Sequence, residues 1–273
     1  MTNRLTRLDH DGLAFDVTDG GPPRGPAVLL LHGFPTDRSS WDRVAPRLHA
    51  AGLRTLAPDQ RGYAPAARPR GVAAYRLEHL VGDVLALADA AGLERFHLVG
   101  HDWGGAIAWL AAGNHADRVA SVTVLSTPHP AAFASALRTP GQLRRSWYMG
   151  AFQLPALPER LMAAGFRRLM GSSGLPAEDV ERYATRLARP AALTGPINWY
   201  RAVGSSKLRA APVTVPATLV WGSADFALGR HAAELTARHV RGPYEFVELD
   251  AGHWLPETRP EDCAQAVIRR VTG

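Results

Sequence analysis

The sequence predicts an α/β fold: a mostly parallel sheet with an N-terminal antiparallel hairpin, helices on both faces and an inserted helical lid. Three observations predict it. Short apolar runs alternate with amphipathic stretches in the first and last parts of the chain. The alternation stops between about residues 127 and 212 and then resumes. The glycine-bracketed segment Gly100-His101-Asp102-Trp103-Gly104-Gly105 falls where a strand should turn sharply into a helix.

Taken in order, residues 4–9 and 13–18 alternate in polarity around the turn Asp9-His10-Asp11-Gly12, which reads as a hairpin. Residues 27–31 form a continuous apolar run, as expected of a strand buried on both faces. A helix is expected after 37–40, and a strand at 53–57 that Pro58 ends. Residues 75–91 repeat apolar side chains at helical spacing until Gly92 stops them. Strand 96–100, helix 106–112 and strand 119–125 follow. The interrupted stretch is rich in Pro, Gly, Arg and aromatics, with helical patches at 160–170 and 177–187. Strand 217–221, helix 230–239, strand 244–249 and helix 260–271 complete the pattern. The domain reading is therefore a core of 1–127 and 213–273, with 128–212 inserted as a lid over the strand ends, where open α/β sheets bind ligands.

Composition narrows the function classes. The chain has 273 residues, 46% hydrophobic and 21% charged, which excludes whole-chain disorder and coiled coil. No apolar run approaches the roughly 20 residues of a membrane span, and the first residues carry no apolar signal-peptide core. The single cysteine, Cys263, cannot form an internal disulfide, so the cytoplasm is the expected compartment. The net charge of +6 invites a nucleic-acid reading. The arginines are scattered, however, without a basic stripe interleaved with aromatics, and no nucleic-acid partner is expected. Nor is a metal or cofactor: the histidines lack ligand spacing, and Gly20-Gly21-Pro22-Pro23 lacks the helix of a phosphate cradle.

Small residues at 100 and 104 would allow a turn that lifts the side chain of residue 102 above the sheet, a position where serine is usual. Here it is Asp102. A carboxylate attacking an acyl carbon gives an anhydride. Attack on a saturated carbon bearing an epoxide oxygen or halide gives an alkyl ester that water can open. In such a strand–turn–helix arrangement the acid and then the histidine follow the nucleophile in chain order. Asp225, after strand 217–221, and His253, after strand 244–249, meet that order. Asp225 would orient His253, and His253 would activate water. Asp250 is the rival acid, placed too close behind its strand to reach around His253. The loop His32-Gly33-Phe34-Pro35 would supply the Phe34 amide to an oxyanion hole, with the Trp103 amide as its partner. Phe34, Trp103, Trp199 and Trp254 are expected to form an apolar substrate-binding wall.

These motifs, together with Asp59-Gln60-Arg61-Gly62-Tyr63 and Gly252-His253, resemble the epoxide hydrolases of the α/β-hydrolase fold, of the soluble bacterial type, over nearly the whole chain. The resemblance implies hydrolysis of an apolar epoxide to a vicinal diol through an ester on Asp102. It also implies two lid tyrosines acting as acids toward the epoxide oxygen. The segments around Ser146-Trp147-Tyr148 and Asn198-Trp199-Tyr200-Arg201 are similar to those that bear them, so Tyr148 and Tyr200 are carried over. A phenol, with a pKa near 10, stays protonated at neutral pH and can donate. Tyr183 is read as packing, His101 as a structural neighbour of the nucleophile, and His129 as hinge or lid packing. Two alternatives stand beside this reading: a haloalkane dehalogenase with the same triad, and a non-catalytic ligand-binding member of the fold. A homodimer is left open.

Overall fold

The computed structural model describes residues 4–273. The expectation of no signal peptide rests partly on residues 1–3, which lie outside the described residues. The eight described strands are β1 (Arg7–His10), β2 (Leu13–Gly20), β3 (Ala27–Leu31), β4 (Arg54–Pro58), β5 (Phe96–His101), β6 (Val119–Leu125), β7 (Ala217–Gly222) and β8 (Tyr244–Leu249). They form one sheet in the order β1-β2-β4-β3-β5-β6-β7-β8. The β1–β2 and β2–β4 pairs are antiparallel and all others are parallel. The hairpin turns through Asp11 (φ 55°) and Gly12 (φ 71°).

The apolar run of β3 is explained by its two faces. Leu29 and Leu31 pack into one core with α2 (Leu77–Ala90) and α3 (Trp103–Asn114). Val28 and Leu30 pack into the other core with α1 (Ala45–Ala50) and the C-terminal helix. Period-2 alternation therefore places apolar side chains in both layers. The helix read at 106–112 begins three residues earlier, at Trp103, because the turn at Asp102 is tighter than periodicity alone reveals.

Between β6 and β7 every regular element is helical: α4 (Pro130–Ala136), α5 (Pro140–Arg145), α6 (Trp147–Ala151), α7 (Leu157–Ser172), α8 (Ala177–Leu187) and α9 (Pro190–Ala202), with a short 3-10 turn after α9. After β7 come α10 (Arg230–Leu235), α11 (Leu255–Thr258) and α12 (Pro260–Thr272). Helix α9 was not legible as a helix because Pro196 sits inside it and removes a backbone donor. It forms nonetheless, with its middle buried against the core. A Cβ added to Gly195 would lie 2.6 Å from the Gly62 Cα, so only glycine lets α9 approach the 59–63 loop this closely. Among the described residues no helix is long and apolar enough to cross a membrane.

Candidate active site

Asp102 occupies the turn between β5 and α3 at φ 51°, ψ −120°, a left-handed conformation that is strained for a non-glycine residue. The flanking glycines are what permit it. A Cβ on Gly100 would fall 2.2 Å from the Gly104 carbonyl oxygen, and one on Gly104 would fall 2.2 Å from the Leu31 oxygen. Gly33 is equally constrained: its Cβ would meet the Asp102 Cβ at 2.4 Å. The Thr127 hydroxyl donates to the Asp102 carbonyl at 2.8 Å and ties the turn to the end of β6.

The two carboxylate oxygens of Asp102 have different surroundings. Oδ1 accepts from the Phe34 amide at 2.7 Å. Oδ2 lies 3.5 Å from His253 Nε2. The opposite ring nitrogen of His253, Nδ1, lies 2.8 Å from Asp225 Oδ2. Asp225 Oδ1 in turn accepts from the amides of Ala227 (2.8 Å) and Leu228 (2.9 Å). The Phe34 loop is held from below, where the Gln60 amide donates to His32 Nε2 at 3.1 Å and the Gln60 side chain donates to the His32 carbonyl at 2.6 Å.

Electrostatics follow from this geometry. Burial alone would depress the His253 pKa, but the charge of Asp225 and hydrogen bonds to Asp102 and Asp225 raise it to about 10. Burial pushes Asp102 up, and contact with His253 outweighs it, holding the carboxyl below its ordinary range. The resting pair is therefore carboxylate and imidazolium. His101, fully buried, falls to about 4 through burial and the neighbouring His253 charge. Its Nε2 donates to the His253 carbonyl at 2.9 Å, which that oxygen also accepts from Ser126 Oγ at 2.7 Å. A neutral His101 anchoring that backbone is a supporting group.

Above these groups opens a cavity of about 950 Å³ whose wall includes Asp102, His253, Phe34, Tyr148, Tyr200 and Trp254. The rings of Tyr148 and Tyr200 are 6.0 Å apart. Burial raises both hydroxyls above their ordinary pKa, with the Asp102 charge adding to it, so both remain protonated at neutral pH. No group of three or more potential metal ligands occurs among the described residues.

The chain order is a strand-end carboxylate, then a second acid, then an imidazole. The α/β-hydrolase fold family model matches residues 26–260. Epoxide hydrolase A of Mycobacterium tuberculosis is 34% identical over 100% of this chain and 98% of its own. The chain belongs to the epoxide hydrolase family of α/β hydrolases. The AB hydrolase superfamily protein YfhM of Bacillus subtilis is 35% identical, covering 96% of this chain and 95% of its own. A solved structure among novel epoxide hydrolases from hot-environment metagenomes is 32% identical, with a TM-score of 0.87 and 100% coverage of both chains.

Within this family member, the structure brings Asp102, Asp225, His253, Phe34, Tyr148, Tyr200 and Trp254 to one site. It corrects part of the expected aromatic wall. Trp199 is 1% exposed and not on the cavity surface; its indole N–H donates to the Arg61 carbonyl at 2.9 Å. Trp103 is partly exposed and stands edge-on to the Tyr200 and Trp199 rings, at 4.9 and 5.6 Å, outside the residues that line the cavity. Trp199 lies on the buried face of α9 and packs inward, and sequence spacing cannot separate packing from lining. The Phe34 amide reaches the resting carboxylate, whereas the Trp103 amide, first in α3, makes no hydrogen bond to it.

Other residues had been given no role. Arg201 binds Glu159 on α7 at 2.6 Å and the Phe152 carbonyl at 2.8 Å, joining the helices that carry Tyr200 and Tyr148. Phe152 lies 4.9 Å from the Tyr200 ring and 5.6 Å from Tyr148. The only available signal was a charged residue directly after a candidate tyrosine. Tyr183 is fully buried and donates to Glu257 at 2.6 Å, away from the cavity wall. His129 caps α4, accepting from the Ala131 amide at 3.2 Å.

Proposed function

We propose that the protein hydrolyses an apolar epoxide to a vicinal diol through a covalent ester on Asp102, with residues 128–212 acting as the lid. One observation carries the reading: a charged carboxylate, backed by an imidazole, faces an apolar cavity also lined by two protonated phenols. Asp102 Oδ2 attacks one ring carbon, and the C–O bond breaks on the far side. The released oxygen takes a proton from Tyr148 or Tyr200, help worth roughly 10²–10⁴-fold.

Alkylation removes the Asp102 charge, one of the two that raised the His253 pKa, and leaves that of Asp225. The imidazolium can then return a proton to the tyrosinate and become a base. Neutral His253, oriented by Asp225, takes a proton from water as that water adds to Cγ of the ester. Oδ1 becomes the oxyanion and is met by the Phe34 amide, with the Trp103 amide as second donor; losing such a donor typically costs about 2.7–4 kcal/mol. Collapse expels the diol alkoxide, which His253 protonates. The regenerated carboxylic acid then gives its proton to His253, and the resting ion pair re-forms.

The test is a single turnover with excess enzyme in heavy-oxygen water, on styrene oxide beside a bromoalkane. The expected result is turnover of the epoxide with label found on Asp102. Label appearing directly in the diol would overturn the covalent step. Preferred consumption of the bromoalkane would favour dehalogenation, and no turnover of either would favour a binding protein.

A further inference from the structure

The cavity mouth is rimmed by exposed apolar side chains. Nine large apolar side chains are exposed among the described residues, and six of them lie between Leu143 and Leu169. Trp147 is 71% exposed and Leu161 is 64% exposed. Trp147, Leu154, Leu157, Leu161 and Leu169 all border the cavity, so they surround one opening. Helix α7 explains how. Met162, Phe166 and Met170 repeat at helical spacing and are buried, while Leu157, Leu161, Arg168 and Leu169 flank them on the outer side.

The charge on this stretch has one sign. Residues 138–173 contain six arginines and one acidic residue, Glu159. Glu159 is buried and paired with Arg201. Arg144 and Arg168 border the cavity and are in no ion pair among the described residues. Half-exposed leucines and a tryptophan, flanked by unpaired arginines and without an exposed carboxylate, are what an interfacial surface needs. The apolar side chains enter the boundary of a bilayer, and the guanidinium groups meet anionic headgroups.

We propose that α6 and α7 form a docking surface for an anionic lipid bilayer, seating the cavity mouth on the membrane. The anionic requirement follows from the uncompensated arginines. Helix α7 is only 16 residues long and carries charge, so it lies on the surface rather than spanning it. Docked this way, the cavity opens toward the phase into which an apolar substrate partitions.

Co-sedimentation of the full chain with vesicles tests this without any turnover. The expected result is binding to phosphatidylglycerol-containing vesicles and little binding to pure phosphatidylcholine. Binding should weaken as salt rises. Exchanging Arg144 and Arg168 for Gln should weaken it by roughly tenfold or more, since each basic residue near an anionic surface contributes about 1 kcal/mol. The variant Trp147→Ser/Leu161→Ser should lose binding as well, while its circular dichroism and melting stay those of the parent because both side chains are exposed. Equal binding to neutral and anionic vesicles would overturn the proposal. So would absence of vesicle binding, including the case where sedimentation shows a self-association that the Ser variants dissolve, because the face would then cover a second copy.

Discussion

Asp102, Asp225 and His253 stand at the ends of β5, β7 and β8, whereas Tyr148 and Tyr200 sit on helices braced against each other through Arg201. The strand-end groups are fixed by hydrogen bonds to backbone amides and carbonyls: Phe34 to Asp102, Ala227 and Leu228 to Asp225, and His101 and Ser126 to the backbone of His253. The helical segment adds ion pairs between side chains. Arg186 of α8 reaches Asp59 at 2.5 Å and Asp37 at 3.0 Å. Arg43 reaches Asp179 at 2.8 Å, and Arg201 holds α9 to α7. One half rests on backbone hydrogen bonds at the sheet edge. The other half rests on packing between helices, supplemented by ion pairs.

The comparison can be broken from either side. Replacing His253 by Gln should have the largest effect, lowering steady-state turnover by roughly 10⁴-fold or more. Alkylation should survive, so intact-mass measurement should show an adduct of one substrate; persistent activity without an adduct would mean that His253 is misassigned. Replacing Tyr148 and Tyr200 together by Phe should slow alkylation by about 10²–10⁴-fold, read in rapid single-turnover kinetics. Near wild-type alkylation in that variant would refute the phenol assignment.

Stability should also separate the halves. His253 is raised from 6.5 to about 10, so its contribution is complete below pH 6.5 and is lost as pH climbs to 10. Linkage sets the upper limit near roughly 5 kcal/mol, shared with Asp102 because the pair titrates together. Unfolding free energy of the parent should fall across that interval relative to His253→Gln; parallel curves would contradict the ion pair. Arg201→Ala should cost roughly 3 kcal/mol by leaving Glu159 buried without its partner. Denaturant titration measures it, and an unchanged midpoint would show that the pair does not hold α9 to α7.

Much of the fold was readable because strand signals are local. The apolar run at 27–31, the glycine stop at 92 and the glycines around Asp102 each act within a few residues. The cluster of Asp102, Asp225 and His253 was readable because its members follow strand ends. The helical segment was harder. Pro196 hid α9, and the inward turn of Trp199 depends on a contact with Arg61, 138 positions away. Ion pairs such as Arg201 with Glu159, 42 apart, leave no periodic trace in a chain with arginine scattered throughout. Periodicity reports what neighbours share and is silent about what a fold brings together.

The asymmetry at Asp102 has a sequel in atom bookkeeping. One oxygen is clasped by the Phe34 amide and the other faces the imidazole. If the clasp endures through each cycle, every diol departs with the unclasped atom and every incoming water refills that one place. The clasped atom is then as old as the polypeptide. Isolated after many rounds in heavy-oxygen water, the side chain would weigh one isotope more, not two.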